Sequence, residues 1–380
     1  MKFFLTLPVL VLTFFIPIYT KAQLDNRFLE SPISLSDSIE ENLLLNIQTN
    51  SFFKNNEYFN DISTGYTLMG SQLFAQMAYL PNQHFRIQTG IFLYKDFGND
   101  TMLKIRPLLT MKFQKNGYSF LFGNLEGSYS HRMLEPLYDY ERFINQPLES
   151  GIQFKIEKDK VWSDTWLNWE KMEYLGSNYQ ERFSLGHHSN FTIYKNKNAQ
   201  WNIPFQFIFS HRGGQIDNDT TALQTIGNTS IGFMYSFQLE HPFLNEIKTE
   251  NYYNYFFDLS PTKQLPYSTG HGFYLNASVR LIKHARLALS YWNGEHFISS
   301  RGGALFQSIS SVYGKQGYIE PNRQLLFLKI QYAKRVLNAF NVDVRFEPFY
   351  DFNASTIEYS YSLYLTYKND FRIFNFYKNK

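Results

Sequence analysis

FNVDVRFEP, residues 340–348, is the stretch that decides the fold. Phe340, Val342, Val344 and Phe346 alternate with Asn341, Asp343, Arg345 and Glu347. Alternation with period two marks a β-strand whose two faces meet different surroundings. One face is apolar. The other is polar and mostly charged, and it needs water. Such a strand separates water from either the core of a soluble sandwich or the hydrocarbon of a bilayer.

The same period recurs along the chain. Residues 84–95, HFRIQTGIFLYK, set Phe85, Ile87, Ile91 and Leu93 against Arg86 and Gln88. Residues 104–114, KIRPLLTMKFQ, set Ile105, Leu109, Met111 and Phe113 against Lys104, Arg106 and Lys112. Pro107 interrupts this run; having no N–H for a ladder, it marks a bulge or a strand beginning. In 358–367, Tyr359, Tyr361, Leu363, Leu365 and Tyr367 share a face, with tyrosines at its ends and leucines in its middle. A lipid face bounded by aromatic girdles has that order.

Composition favours the bilayer. Charged residues are 18% of the chain, and aromatics reach 19%, with 28 Tyr and 38 Phe. Soluble domains carry roughly 25% charge. A soluble surface would have to expose many of these rings, whereas a barrel wall places them in lipid. The mature part has no run of about 18 apolar residues, so no transmembrane helix is available. Strands in hydrocarbon must close into a barrel to pair every backbone group. A soluble β-sandwich also alternates, but this length would require two or more domains, and no Gly/Pro/Ser linker divides the mature chain.

The opening MKFFLTLPVLVLTFFIPIYTKAQ has a positive start, an apolar run and small residues at a processing site, so 1–22 read as a secretory signal peptide. Residues 23–42 are polar and read as a periplasmic lead-in. Residues 43–380 read as one all-β, transmembrane antiparallel β-barrel in the outer membrane of a Gram-negative bacterium. Short and long connections alternate along it, as periplasmic turns and external loops do, and about 16 strands fit, with 14–18 allowed. The charge of +3, from 36 basic and 33 acidic residues, is too balanced for a nucleic-acid partner. There is no cysteine. HExxH and EF-hand patterns are missing too, so no metal ligand set and no cofactor is implied.

GNLEGSYSHRMLEPLYDY, residues 123–140, begins as a strand and turns into a charged loop. A strand over 118–130 would put Asn124 and Glu126 on the water face and end at the external rim. His131, Arg132, Glu135 and Asp139 would follow in a long loop. Folded inward, the loop would narrow the lumen and select solutes by size and charge; left outside, it would be a solvated, ion-paired loop. In 162–174, Asp164, Trp166, Asn168 and Glu170 share the water face. Trp166 there either stacks on a sugar ring or packs against an inserted loop. Asp343, Arg345 and Glu347 supply the opposite wall. Ser184, His187 and His188, next to Ser189 and Asn190, do not define a triad by spacing and read as a midstrand polar patch.

Four further stretches belong with 123–140: NNEYFND (55–61), GYTLMGSQL (65–73), DTWLNWEKMEYLG (164–176) and QERFSLG (180–186). Together they resemble an uncharacterised, porin-like family of outer-membrane β-barrels of Bacteroidota, over about residues 45–190. The resemblance implies an outer-membrane location and a single dedicated role for the 124–139 loop, with no catalytic residue.

The resulting expectation is a porin-like channel, not an enzyme, for passive diffusion of small hydrophilic solutes. Its partners would be outer-membrane lipid and lipopolysaccharide, the solutes, and other envelope proteins. A sealed barrel serving as a structural or assembly partner is the alternative, and an outer-membrane hydrolase comes last.

Overall fold

The computed structural model describes residues 24–35, 41–100, 103–281 and 284–376. The signal segment expected at 1–22 lies outside the described residues. Sixteen strands follow one another: β1 (Asn42–Glu57), β2 (Thr67–Asn82), β3 (Phe85–Asp96), β4 (Leu103–Lys115), β5 (Tyr118–Asn124), β6 (Ser150–Lys158), β7 (Val161–Lys171), β8 (Glu181–Lys195), β9 (Ala199–Gly213), β10 (Gln224–Gln238), β11 (Leu244–Asp258), β12 (Thr269–Leu281), β13 (Ala285–Glu295), β14 (Asn322–Leu337), β15 (Phe340–Asp351) and β16 (Thr356–Asn375). Each pairs antiparallel with its chain neighbours, and β1 pairs with β16, so the sheet closes. The stretch 371–375 is the end of the last strand.

Burial is inverted relative to a soluble protein. On β15, Asn341, Asp343 and Arg345 are buried, while Val344 and Phe346 are exposed. The exposed apolar face runs round the barrel and meets lipid. Trp169 stacks on Phe183 toward the loop end of β7 and β8, and Tyr194 packs edge-on to Trp201 toward the opposite end. Such pairs mark the two interfaces.

The lumen is filled from three directions. Residues 24–35 lie inside it: the Asp25 N–H donates to Gln331 at 2.7 Å and the Ile33 N–H to Glu126 at 2.8 Å. The 125–149 segment between β5 and β6 folds inward, as the sequence allowed. The 296–321 segment between β13 and β14 also descends, because Phe297 and Phe306 find Trp292 in the lumen, with ring centroids 5.0 and 5.5 Å away.

β5 stops at Asn124, six residues short of the expected 130. Gly123 and Gly151 face each other across β5 and β6. Gly123 has φ +100°, and a Cβ there would lie 2.1 Å from the Leu109 carbonyl oxygen. A side chain is thus excluded where the chain leaves the wall for the lumen. Above that point β4 and β7 continue without partners between them, which leaves a notch. Asn124 closes its floor by accepting from the Leu109 N–H at 2.8 Å. N–H groups alternate sides along a strand, so Pro107 would aim its missing N–H at the same open side. That accounts for a proline inside a strand.

Candidate active site

Inside the barrel, the charges expected to line a pore are mostly paired, and a cavity of about 650 Å³ remains beside Arg132, Trp162, His188 and Asn202. Arg86 meets Asp370 at 3.1 Å, Arg345 meets Asp343 at 2.7 Å, and Arg132 meets Glu30 at 2.9 Å. Lys329 lies 2.8 Å from Glu135 and 3.8 Å from Glu347. Glu170 pairs with Arg301. Glu126 sits between Lys112 at 2.7 Å and Lys155 at 2.5 Å. Burial alone would raise its carboxyl, but Lys155 and Lys112 outweigh that and hold it at about 2. Asp139 caps the Glu141 N–H at 2.9 Å; burial, with Glu141 adding to it, pushes its carboxyl up to about 7. Lys104 and Arg106 differ from the rest: they are exposed at the loop end of β4, where no strand covers the notch, and Lys104 lies over the Tyr94 ring.

His131 is the centre of the inserted loop. It is fully buried, with Asp164 2.9 Å from Nδ1 and Glu149 3.1 Å from Nε2. Its ring stacks on Trp166 at 3.5 Å and 9°. Trp166 can lie flat there because Gly186 stands opposite it on β8; a Cβ at 186 would fall 2.2 Å from the indole. Burial opposes the imidazolium, but Glu149 and Asp164 lift its pKa to about 9. The converse holds for Glu149, where burial is outweighed by His131 and the carboxyl sits at about 2. This constellation clamps the loop to the wall. Being sealed, it offers no path to a lipid.

The outer wall holds a different polar group. On β8, Leu185, His187, Ser189 and Phe191 share the outward face. Thr165 stands opposite His187 on β7, and Ser163 opposite Ser189. The Thr165 hydroxyl and His187 Nδ1 are 2.7 Å apart. Phe207, on β9, stacks on the imidazole at 5.1 Å and 16°, and Phe205 stands opposite Ser189. Four polar side chains therefore stand together on the outward face of an apolar wall, Thr165 and His187 partly exposed and Ser163 and Ser189 buried between their neighbours. His187 lies four residues below Phe183 and seven above Tyr194 along β8, which places it in the outer-leaflet half of the membrane. A second outward imidazole–hydroxyl pair, His211 with Thr225 at 2.9 Å, sits higher, at the loop end of β9 and β10.

A family model described as Lipid A 3'-O-deacylase-type matches residues 34–376. The chain belongs to this family. The match spans the whole barrel, so the Lipid A 3'-O-deacylase-type family replaces the uncharacterised porin-like family suggested by the quoted segments. It also overturns the passive-diffusion channel and the expectation of no enzyme, and it reverses the ranking that put a hydrolase last. The physical source of that error is the lumen. Alternating charge there reads as water-lining, although it is buried and paired. No curated protein sequence matches the chain. Among solved structures, the outer membrane protein OprD from Pseudomonas aeruginosa is similar over 89% of this chain and 97% of its own, at 11% identity and a TM-score of 0.52. OmpT of Vibrio cholerae is similar over 86% of this chain and 100% of its own, at 7% identity and a TM-score of 0.50. At such identities these show the fold. The protein is an outer-membrane β-barrel, and its immediate partner is outer-membrane lipid.

His187 and Ser189 were visible in the sequence as a polar patch but were not assigned to a face. The signal was parity. They share the alternation of Leu185, Phe191 and Ile193, the residues that must meet lipid.

Proposed function

We propose that the protein hydrolyses an acyl ester of an outer-leaflet lipid, with lipid A as the substrate the family points to, on the outside of the barrel wall. The observation that carries this reading is the hydroxyl–imidazole pair Thr165–His187 facing lipid, with Ser189 two residues along the same face. Polar groups in hydrocarbon are costly and mark functional sites. In the proposed mechanism, Thr165 accepts from Nδ1–H and fixes the ring, which leaves Nε2 basic. Nε2 takes the Ser189 hydroxyl proton as the oxygen attacks the ester carbonyl, and returns it to the departing sugar oxygen. Water then releases the fatty acid from the serine by the same route. The two Cα atoms are one strand repeat apart, about 7 Å, and such catalytic contacts commonly close only with substrate bound.

An alkyl fluorophosphonate tests the assignment, since it marks an activated serine covalently. Peptide mass spectrometry should find the adduct on Ser189 in the native protein and lose it in His187→Ala. Labelling elsewhere, or unchanged labelling of His187→Ala, refutes the site. An adduct whose formation depends on His211 would move the site up the wall.

A further inference from the structure

Three cations stand in one row at the mouth of the barrel, above the proposed catalytic group. Lys171 lies opposite Arg182 across β7 and β8, and Arg182 opposite Arg212 across β8 and β9. Directly opposed residues have Cα atoms roughly 4.5–5.5 Å apart, and like charges so placed destabilise a sheet. Inside the lumen, such charges are matched by carboxylates. Here, among the described residues, no carboxylate forms an ion pair with any of the three. Lys171 lies over the Tyr179 ring at 3.5 Å, and Arg212 Nη2 donates to Gln264 at 3.3 Å. Arg212 Nε is buried without a hydrogen-bond partner. The Asp219 carboxylate, held low first by Thr221, feels Arg212 and Lys171 at longer range.

We infer that this row is a binding site for a phosphate monoester. A tetrahedral dianion accepts from two guanidinium forks and an ammonium at once, offsets the repulsion within the row and supplies the missing acceptor for Arg212 Nε. Position narrows its source. Arg182 adjoins Phe183 of the upper girdle and lies five residues above His187, a rise of about 17 Å. By strand parity Arg182 and Arg212 turn toward the lumen side of the rim, with inward Ser184 and Ser210 two residues below them, so a phosphorylated headgroup would reach over the rim to occupy the row while its acyl ester lies against the outer wall. The headgroup source rests on the deacylase reading; the anion site itself does not.

The test uses the full-length protein in detergent, with inorganic phosphate, phosphatidic acid and, as an uncharged control, diacylglycerol. Phosphate should raise the unfolding midpoint of the native protein, and Arg182→Gln should need about tenfold more phosphate for the same rise. In phosphate-free buffer Arg182→Gln should be the more stable of the two, because it removes both like-charge pairs. Lys171→Gln repeats the measurement should Arg182→Gln fail to fold. Phosphatidic acid binding at least tenfold more tightly than inorganic phosphate, with no binding of diacylglycerol, supports the headgroup as source. Equal affinity supports the site with free phosphate as source. Absence of phosphate binding, or binding that Arg182→Gln leaves intact, overturns the site. His187→Ala run alongside should bind phosphate as the native protein does, so a failed hydrolase assignment and a failed anion site give different results.

Discussion

Replacing His131 by Gln should make the barrel's stability lose most of its dependence on alkaline pH. His131 is sealed between Asp164 and Glu149, and its pKa stands at about 9 against an unfolded 6.5. At about 1.4 kcal/mol per pH unit, that rise is worth about 3 kcal/mol. A folded pKa above the unfolded one gives stability that is fully present below about 6.5 and is lost as pH rises through about 9. Glu149 acts at the other end: its contribution is present above 4.5 and is lost as pH falls through about 2. The clamp is therefore strongest between about 4.5 and 6.5. Urea unfolding in detergent micelles, followed by tryptophan fluorescence at pH 6 and pH 9.5, reads the difference. The native protein should exceed His131→Gln at pH 6 by the ionic contribution plus lost packing, and at pH 9.5 by packing alone. The gap should shrink by about 3 kcal/mol. A gap that stays constant or widens over this range would mean that His131 is neutral in the fold, and the clamp would not be ionic.

Other perturbations probe the wall and the plug. Glu126→Gln leaves Lys112 and Lys155 facing a neutral amide in the lumen, and the urea midpoint should fall by the equivalent of roughly 3–5 kcal/mol. Gly123→Ala forces a Cβ toward the Leu109 carbonyl where the chain turns inward; heat-modifiability on gels should show a loss of roughly 1–3 kcal/mol or failure to form the compact barrel. Pro107→Ala should change the midpoint by no more than about 0.5 kcal/mol, since the restored N–H faces the unpaired side of β4.

Strand number and closure were legible because each strand carries its own period, as 340–348 does. Inward and outward assignments at Asp343, Arg345, Asp164 and Trp166 follow from the same parity. The end of β5 was not legible. Residues 125–130 keep enough alternation to continue a strand, and what stops it is the Gly123–Gly151 pairing, a contact between segments nearly thirty residues apart. Nor does alternation tell whether an inward charge meets water or another chain segment. Lys112 looks the same in sequence whether Glu126 folds onto it or not. That ambiguity produced the channel reading. The catalytic candidates were hidden differently: the outward parity of His187 and Ser189 is plain in the sequence, but their meaning depends on Thr165 lying across the sheet.

The central claim is that this barrel removes an acyl chain from a lipid at its outer surface. The most direct measurement is mass spectrometry of lipid A after incubation with the native protein, His187→Ala and Ser189→Ala in mixed micelles. The native protein should convert lipid A to a species lighter by one acyl chain and release the matching fatty acid, and each variant should be slower by roughly 10²–10⁴-fold. Lipid A unchanged by well-folded native protein, or equal conversion by all three, would contradict the account.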